Sequence, residues 1–388
     1  MSNMLPALDS ARLSLADVLP SCLASIRGSG ENRLGLPSAD RVVVLLVDGL
    51  GSDALRFRSG HARFLANLLD RGSTMFSGFP ATTVAGIASL ATGQPSGTHG
   101  LVAYRVRDEE RDRVVNQLTG WDDGMQPETW QRATTVFERA SALGVRTTAI
   151  GPEKFRNSGF SKAVLRGADY VAGRSIADRF AAARRVLDAG GSQLIYVYVS
   201  ELDVIAHASG AESVKWLEQL EALDGAVAAF ASILGPREGL LVTADHGVLD
   251  VPEHSHVLFG DDPRLVAGIR HIAGDPRCLH LYFEPDIPAA ARDELVQAWR
   301  DREQERAWVA SREEAIDAGW FGTVALEVLP RIGDVIVAAR KRVAYYDQRD
   351  PEDGGPPDQK ARRMIGQHGS LTPEETLVPL IRLGAFTR

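Results

Sequence analysis

Three short runs of the chain are apolar without interruption: residues 42–47 (VVVLLV), 194–199 (LIYVYV) and 239–243 (GLLVT). A strand with one wet face alternates apolar and polar positions, whereas an unbroken β-branched run suits a parallel strand covered on both faces. Each run leads to a carboxylate: Asp48-Gly49 after the first, Glu201-Leu202-Asp203 after the second, Asp245-His246-Gly247 after the third. Between the runs the pattern becomes helical. Residues 61–71 read as a helix. Residues 83–92, TVAGIASLAT, form a helix bracketed by Pro80 and Gly93, and 211–234 carries Val214, Leu217, Leu220, Leu223 and Val227 as an apolar stripe. Strand, polar group, loop and helix in repetition predict an α/β fold, a mostly parallel central sheet with helices on both faces. Ligands of such sheets collect beyond the carboxyl ends of the strands, and Asp48, Asp203 and Asp245 all fall there.

Residues 262–330 have a different texture. LHLYF (279–283) reads as a strand, 288–304 as a charged helix, AWVAS (307–311) as a strand, and a helix starts near Arg312. This predicts a small α/β cap, 262–330, inserted into a core made of 1–261 and 331–388, with RIGDVIVAA (331–339) returning to the main sheet. Residues 347–363, rich in charge, Pro and Gly, read as a surface loop. No internal repeat is present.

Composition narrows the partners. The 388 residues suit one large domain or a core with an inserted cap, and 44% hydrophobic with 24% charged residues is ordinary for a globular protein. The net charge of −8 makes polymeric nucleic acid a poor partner, while the charge of a bound metal still admits a small anionic substrate. Two distant cysteines, Cys22 and Cys278, read as free buried thiols rather than a disulfide framework. The N-terminal segment has no basic start, and Asp9, Arg12, Asp17 and Pro20 interrupt its apolar residues. No secretory signal is read there, no run is long enough to span a membrane, and a cytoplasmic location is the expectation. No oligomeric state follows.

The chemistry lies at the ends of the strands. Asp203-Val-Ile-Ala-His207 puts a carboxylate and an imidazole four apart, on one face of a helix. Adjacent Asp245 and His246 at the end of a core strand are a costly place for two polar groups unless something binds them. His368 stands in Gly366-Gln-His368-Gly369, and Asp48 closes VVVLLVDG. Thr83 follows Phe79-Pro-Ala-Thr at the start of a helix, where the macrodipole favours an anion; Thr82 competes with it, its other role being the N-cap. Three Asp and three His suit two zinc-like ions, with Mn²⁺ also accepting such ligands, and one Thr suits a nucleophile. His254 and His256 read as solvent-facing loop imidazoles, His99 as a turn residue, and Trp121 and Trp130 as core rather than pocket wall.

Taken in order, VVVLLVDGLG, FPATTVAGIASLATGQPSGTHGL, YVYVSELDVIAH, LLVTADHG and IGQHGSLTPEETLVPLI resemble the alkaline phosphatase superfamily, in its type I phosphodiesterase/nucleotide pyrophosphatase branch, over about residues 42 to 381. The resemblance selects Thr83 over Thr82 as nucleophile, three residues after Pro80. It implies one metal held by Asp203, His207 and His368, and another by Asp48, Asp245 and His246 with Thr83 added. It further implies hydrolysis of a phosphodiester or pyrophosphate bond in a small phosphorylated substrate, through a phosphothreonine. One departure stands out. Branch members carry an Asn shortly after the His-Gly segment to hold a phosphate oxygen, whereas here the stretch is His99-Gly-Leu-Val-Ala-Tyr104-Arg105. Tyr104 through its hydroxyl, or Arg105 through its charged fork, would take that place as substrate-binding residues. The alternatives are a phosphomonoesterase or phosphonate hydrolase on the same core, a transferase, or a non-catalytic metal-stabilised binding protein. The complete ligand set beside a hydroxyl nucleophile speaks against the last.

Overall fold

Every residue from Val42 to Val47 is fully buried, in the middle of a six-stranded sheet. The computed structural model describes residues 4–9, 11–69, 72–349 and 361–387. The sheet order is Ile381–Gly384, Glu238–Thr243, Arg41–Val47, Gln193–Val199, Arg146–Gly151, Asp169–Ala172. The last five strands run parallel and Ile381–Gly384 runs antiparallel to its neighbour. The three apolar runs are therefore the three adjacent central strands. Val47 pairs with Val199 and Leu46 with Thr243, so the chain leaves all three strands at the same sheet edge. Burial of each such Val or Leu side chain contributes on the order of 1.5–3 kcal/mol. The helix Thr83–Thr92 forms over the expected residues, and the long helix spans Val214–Ser232. The expected helix 61–71 is shorter, Arg63–Asn67, and residues 70 and 71 lie outside the described residues.

A second six-stranded sheet, antiparallel throughout, is ordered Ala307–Ser311, Val335–Ala339, Cys278–Phe283, Ile269–Asp275, Arg105–Asp108, Arg113–Asn116. Residues 331–339 thus do not return to the main sheet: Val335–Ala339 pairs with Cys278–Phe283 on one side and Ala307–Ser311 on the other. The reason is physical. The second sheet is covered on both faces too, Val335 and Val337 packing with Trp299 while Ile336 and Ala338 join the main core. An unbroken apolar run therefore marks two-sided burial without saying in which sheet. The hairpin Arg105–Asn116 also joins this sheet from outside residues 262–330, where Gly274 pairs with Arg105. Of the expected surface loop 347–363, residues 350–360 lie outside the described residues.

Glu375 knots these parts together. Its carboxylate receives both arms of the fully buried Arg277 guanidinium, at 2.7 and 2.8 Å. It also accepts from the Ser370 amide at 2.9 Å and the Thr372 hydroxyl at 2.6 Å, and its backbone oxygen accepts from Gly247 N–H at 2.8 Å. The second sheet, the His368 loop and the Asp245-His246-Gly247 turn meet at this one residue. Removing one partner of a buried ion pair leaves an uncompensated charge and costs about 3–5 kcal/mol. Glu375→Ala is therefore expected to lower the unfolding free energy from urea denaturation by about 3–5 kcal/mol, and an unchanged midpoint and slope would show that the pair carries no such weight.

Candidate metal centre and its cavity

The positions of the seven candidate residues follow from the strand ends. Asp48 follows Val47 directly. Asp203 and His207 lie on the helix Glu201–Ser209, which starts two residues after the strand Gln193–Val199. Asp245 and His246 follow Glu238–Thr243, and His368 enters on the segment after the short strand Gly366–Gln367. Gly86 lets the Thr83 helix settle on this cluster, since a Cβ there would lie 2.7 Å from the Asp245 carbonyl oxygen. At Gly49 the backbone takes φ +75°, turning the chain away just beyond Asp48.

The structure brings all seven together. His246 Nε2 lies 3.2 Å from Asp48 Oδ1, 3.8 Å from Asp245 Oδ2 and 3.1 Å from Thr83 Oγ1. His207 Nε2 lies 3.2 Å from Asp203 Oδ2, and His368 Nε2 lies 3.9 Å from Asp203 Oδ1. Two sets have ligand atoms mutually within 4.8 Å: Asp203, His207, His368 and Asp48, Asp245, His246. The His246 and His368 rings stack at 3.7 Å between centroids, so the two sets adjoin. Each imidazole turns Nδ1 to a backbone carbonyl: His207 to Gly366 (2.7 Å), His368 to Ala81 (2.9 Å), His246 to Gly247 (3.2 Å). That turns Nε2 of each ring toward the carboxylates, the orientation expected of metal-binding imidazoles. Of the two threonines, Thr82 is buried and its hydroxyl accepts from Ala85 N–H as N-cap, while Thr83 is half-buried with Oγ1 toward His246.

The donor set fits divalent ions by a direct observation. Asp48 Oδ1, Asp203 Oδ1 and Asp245 Oδ2 are buried without a hydrogen-bond partner. Buried polar atoms ordinarily find one, and three carboxylate oxygens left open beside three imidazole nitrogens form a hard N/O cradle of the zinc or manganese type. The electrostatics agree. Burial, then the Asp48 charge, raises Asp245 well above the usual carboxylate range. Burial alone would depress His246, yet the Asp245 and Asp48 carboxylates push it up to about 10. Burial, then the neighbouring His246, holds His368 well below the usual imidazole range.

The set opens into a cavity of about 900 Å³ lined by Asp48, Thr83, Asp203, His207 and His368. Tyr104 and Arg105 line it as well, with Tyr104 N–H donating to Asp275 Oδ2 at 3.2 Å. The sequence reading missed Asn116, Lys154, Phe155, Tyr170, Tyr198 and Asp275 on its wall. Asn116 stands directly across from Arg105 in the hairpin, so an asparagine does reach the cavity, from the following strand rather than from the His99 turn. Asp275 is buried, which pushes its pKa up to about 7. Trp121 is a correction, since it lines the cavity, whereas Trp130 packs under the Arg331 guanidinium at 3.9 Å. His99 is structural as expected, accepting from Leu101 N–H and bonded to the Ser89 hydroxyl. His254 is exposed, but His256 is half-buried beside the Tyr346 ring at 4.9 Å, so only one of that pair faces solvent. Cys22 and Cys278 are free and buried. Among the described residues no helix is long and apolar enough to cross a membrane.

The sequence model of the type I phosphodiesterase/nucleotide pyrophosphatase family matches residues 42–371. No curated protein sequence matches. Among solved structures, murine ectonucleotide pyrophosphatase/phosphodiesterase 5 is similar with a TM-score of 0.66 at 16% identity, over 88% of this chain and 87% of that one. An inactive form of that murine protein in complex with AMP gives a TM-score of 0.67 at 16% identity, over 89% and 88%. Phosphonoacetate hydrolase from Sinorhizobium meliloti 1021, in complex with phosphonoformate, gives 0.67 at 18% identity, over 89% and 91%. These likenesses are of fold.

His246 yields a solution test. The Asp245 and Asp48 carboxylates raise the pKa of His246, so the metal-free cluster favours holding a proton that a cation taking Nε2 must displace. Zn²⁺ binding at pH 7 is expected to release protons and to tighten as pH rises toward 10, seen as a calorimetric enthalpy that tracks the ionisation enthalpy of the buffer. A buffer-independent enthalpy would contradict it.

Proposed function

The chain belongs to the type I phosphodiesterase/nucleotide pyrophosphatase family, and from that premise we propose a two-metal phosphohydrolase that cleaves a phosphodiester or pyrophosphate bond of a small substrate through a phosphothreonine on Thr83. The observation that carries this reading is the Thr83 hydroxyl, 3.1 Å from His246 Nε2 where two Asp/His sets with open carboxylate oxygens adjoin. Asp203, His207 and His368 would hold one ion, and Asp48, Asp245 and His246, with Thr83 Oγ1, the other. Zinc is favoured by the three imidazoles, with manganese compatible. When bound, such a pair neutralises phosphoryl charge and lowers the pKa of a hydroxyl.

The protein's own part is positioning. Thr83 opens a ten-residue helix, whose N-terminal amides favour negative charge at the attacking oxygen and on the phosphoryl group. Thr83 Oγ1 attacks phosphorus in line, forming a P–O bond as the bond to the leaving oxygen breaks. Water then cleaves the phosphothreonine and restores the hydroxyl. Trp121, Phe155 and Tyr170 on the cavity wall offer aromatic surface to a leaving group. In this reading residues 262–339, whose sheet includes Val335–Ala339, with the hairpin Arg105–Asn116 that joins it, form the cap over the metal sets.

A second reading rests on Arg105 and Lys154, two cations that line the same cavity. A phosphomonoester or phosphonate carries more charge than a diester, and such side chains suit it. The fold likeness to phosphonoacetate hydrolase agrees with this option. Turnover of bis-p-nitrophenyl phosphate against p-nitrophenyl phosphate separates the two: the first reading expects the diester to be preferred and chelator to abolish the activity. Thr83→Ala is expected to lower kcat by about 10⁶-fold, the order seen when a hydrolase nucleophile is removed, while metal content stays near that of the parent. Full activity in the variant would remove Thr83 from the reaction.

A further inference from the structure

Each of the two carboxylates around His246 has one oxygen tied down and one left open. For Asp245 the tie is backbone: Oδ1 accepts from Gly49 N–H at 3.3 Å and His246 N–H at 3.1 Å, and Oδ2 is open. For Asp48 the tie is a side chain: the Tyr198 hydroxyl donates to Oδ2, and Oδ1 is open toward His246 Nε2. The sheet dictates that meeting. Tyr198 pairs with Leu46, and the two-residue alternation of a strand brings Asp48 to the same face, one step further toward the sheet edge. The ring is held on two sides: Tyr196 stacks near it at 6.3 Å and 15°, and Phe155 meets it edge-on at 5.9 Å. The fully buried Arg179 fixes the backbone of the same residue, donating to the Tyr198 carbonyl at 2.8 Å. The hydroxyl oxygen is thereby placed beside Asp48 Oδ2.

We propose that Tyr198 is a positioning residue for the metal set Asp48, Asp245, His246: its hydroxyl occupies one oxygen of Asp48 and so presents the other to the ion as a single, pre-aimed ligand. This rests on the reading of that set as a metal site. A carboxylate with both oxygens unbound swivels about its last torsion and loses orientation when the ion arrives. Donors standing behind metal ligands typically change affinity about 10- to 100-fold when removed. Tyr198→Phe keeps the ring, the stacking and the cavity wall, and deletes the one hydrogen bond.

The test is Zn²⁺ titration of metal-stripped parent and Y198F protein against a chromogenic chelator, with melting temperatures of both metal-free proteins. The expected result is two Zn²⁺ per parent chain, one dissociation constant raised about 10- to 100-fold in Y198F, the other constant unchanged, and a metal-free melting temperature no lower than the parent's. Two constants equal to the parent's would overturn the inference and leave the two-metal reading standing. Both constants weakened together with a lower melting temperature would assign Tyr198 to packing and overturn it as well. A parent that binds no Zn²⁺ would sink the metal reading and this inference together.

Discussion

Three carboxylates, Asp48, Asp203 and Asp245, are held out of water beside one another at the edge of the main sheet, two of them directed at one imidazole. Burying like charges together is unfavourable, and the imidazoles beside them relieve it only in part: one oxygen of each group has no hydrogen-bond partner. Hydrophobic burial in the strands behind them must sustain that arrangement. The continuous apolar runs do so, because they are covered on both faces and set the register in which the three ends meet. A one-residue slip in any of them would move its acid out of the cluster.

The second constraint is the convergence of remote segments. His368 is separated by more than a hundred residues from His246, yet their rings stack. That contact depends on Glu375, which ties the His368 loop to Gly247 through the backbone and to Arg277 through a buried ion pair. It depends also on glycines at the close approaches, as at Gly86 against Asp245. The centre is therefore assembled less by its own polar contacts than by the pieces that bring five chain segments within a few ångströms.

The central strands, the helix Thr83–Thr92 and the three acids could be read from the chain, because each strand end carries its own local signal, an unbroken apolar run stopped by an acid, whereas Thr83 and the grouping with His207, His246 and His368 came from the family resemblance. What could not be read was which sheet a buried run joins. Val335–Ala339 is as apolar and as buried as the central strands, and its partners are set by topology rather than composition. The hairpin Arg105–Asn116, the strand Ile269–Asp275 and the edge strand Asp169–Ala172 were missed because their mixed composition makes no periodic pattern. Tyr198 was hidden inside a run taken as purely apolar. The available signal was a hydroxyl near the end of a core strand, which needs an acceptor when buried. Asn116 and Asp275 gave no sequence signal, since they reach the cavity only after the second sheet forms.

The cavity draws on both sheets. Its floor, with the acids and imidazoles, comes from the end of the main sheet, while Arg105, Asn116 and Asp275 come from strands of the second, where Arg113–Asn116 is the outermost. The two halves can drift at different speeds. A substitution or insertion in the outer hairpin would reshape the entrance while leaving the Asp and His cluster on the main sheet untouched.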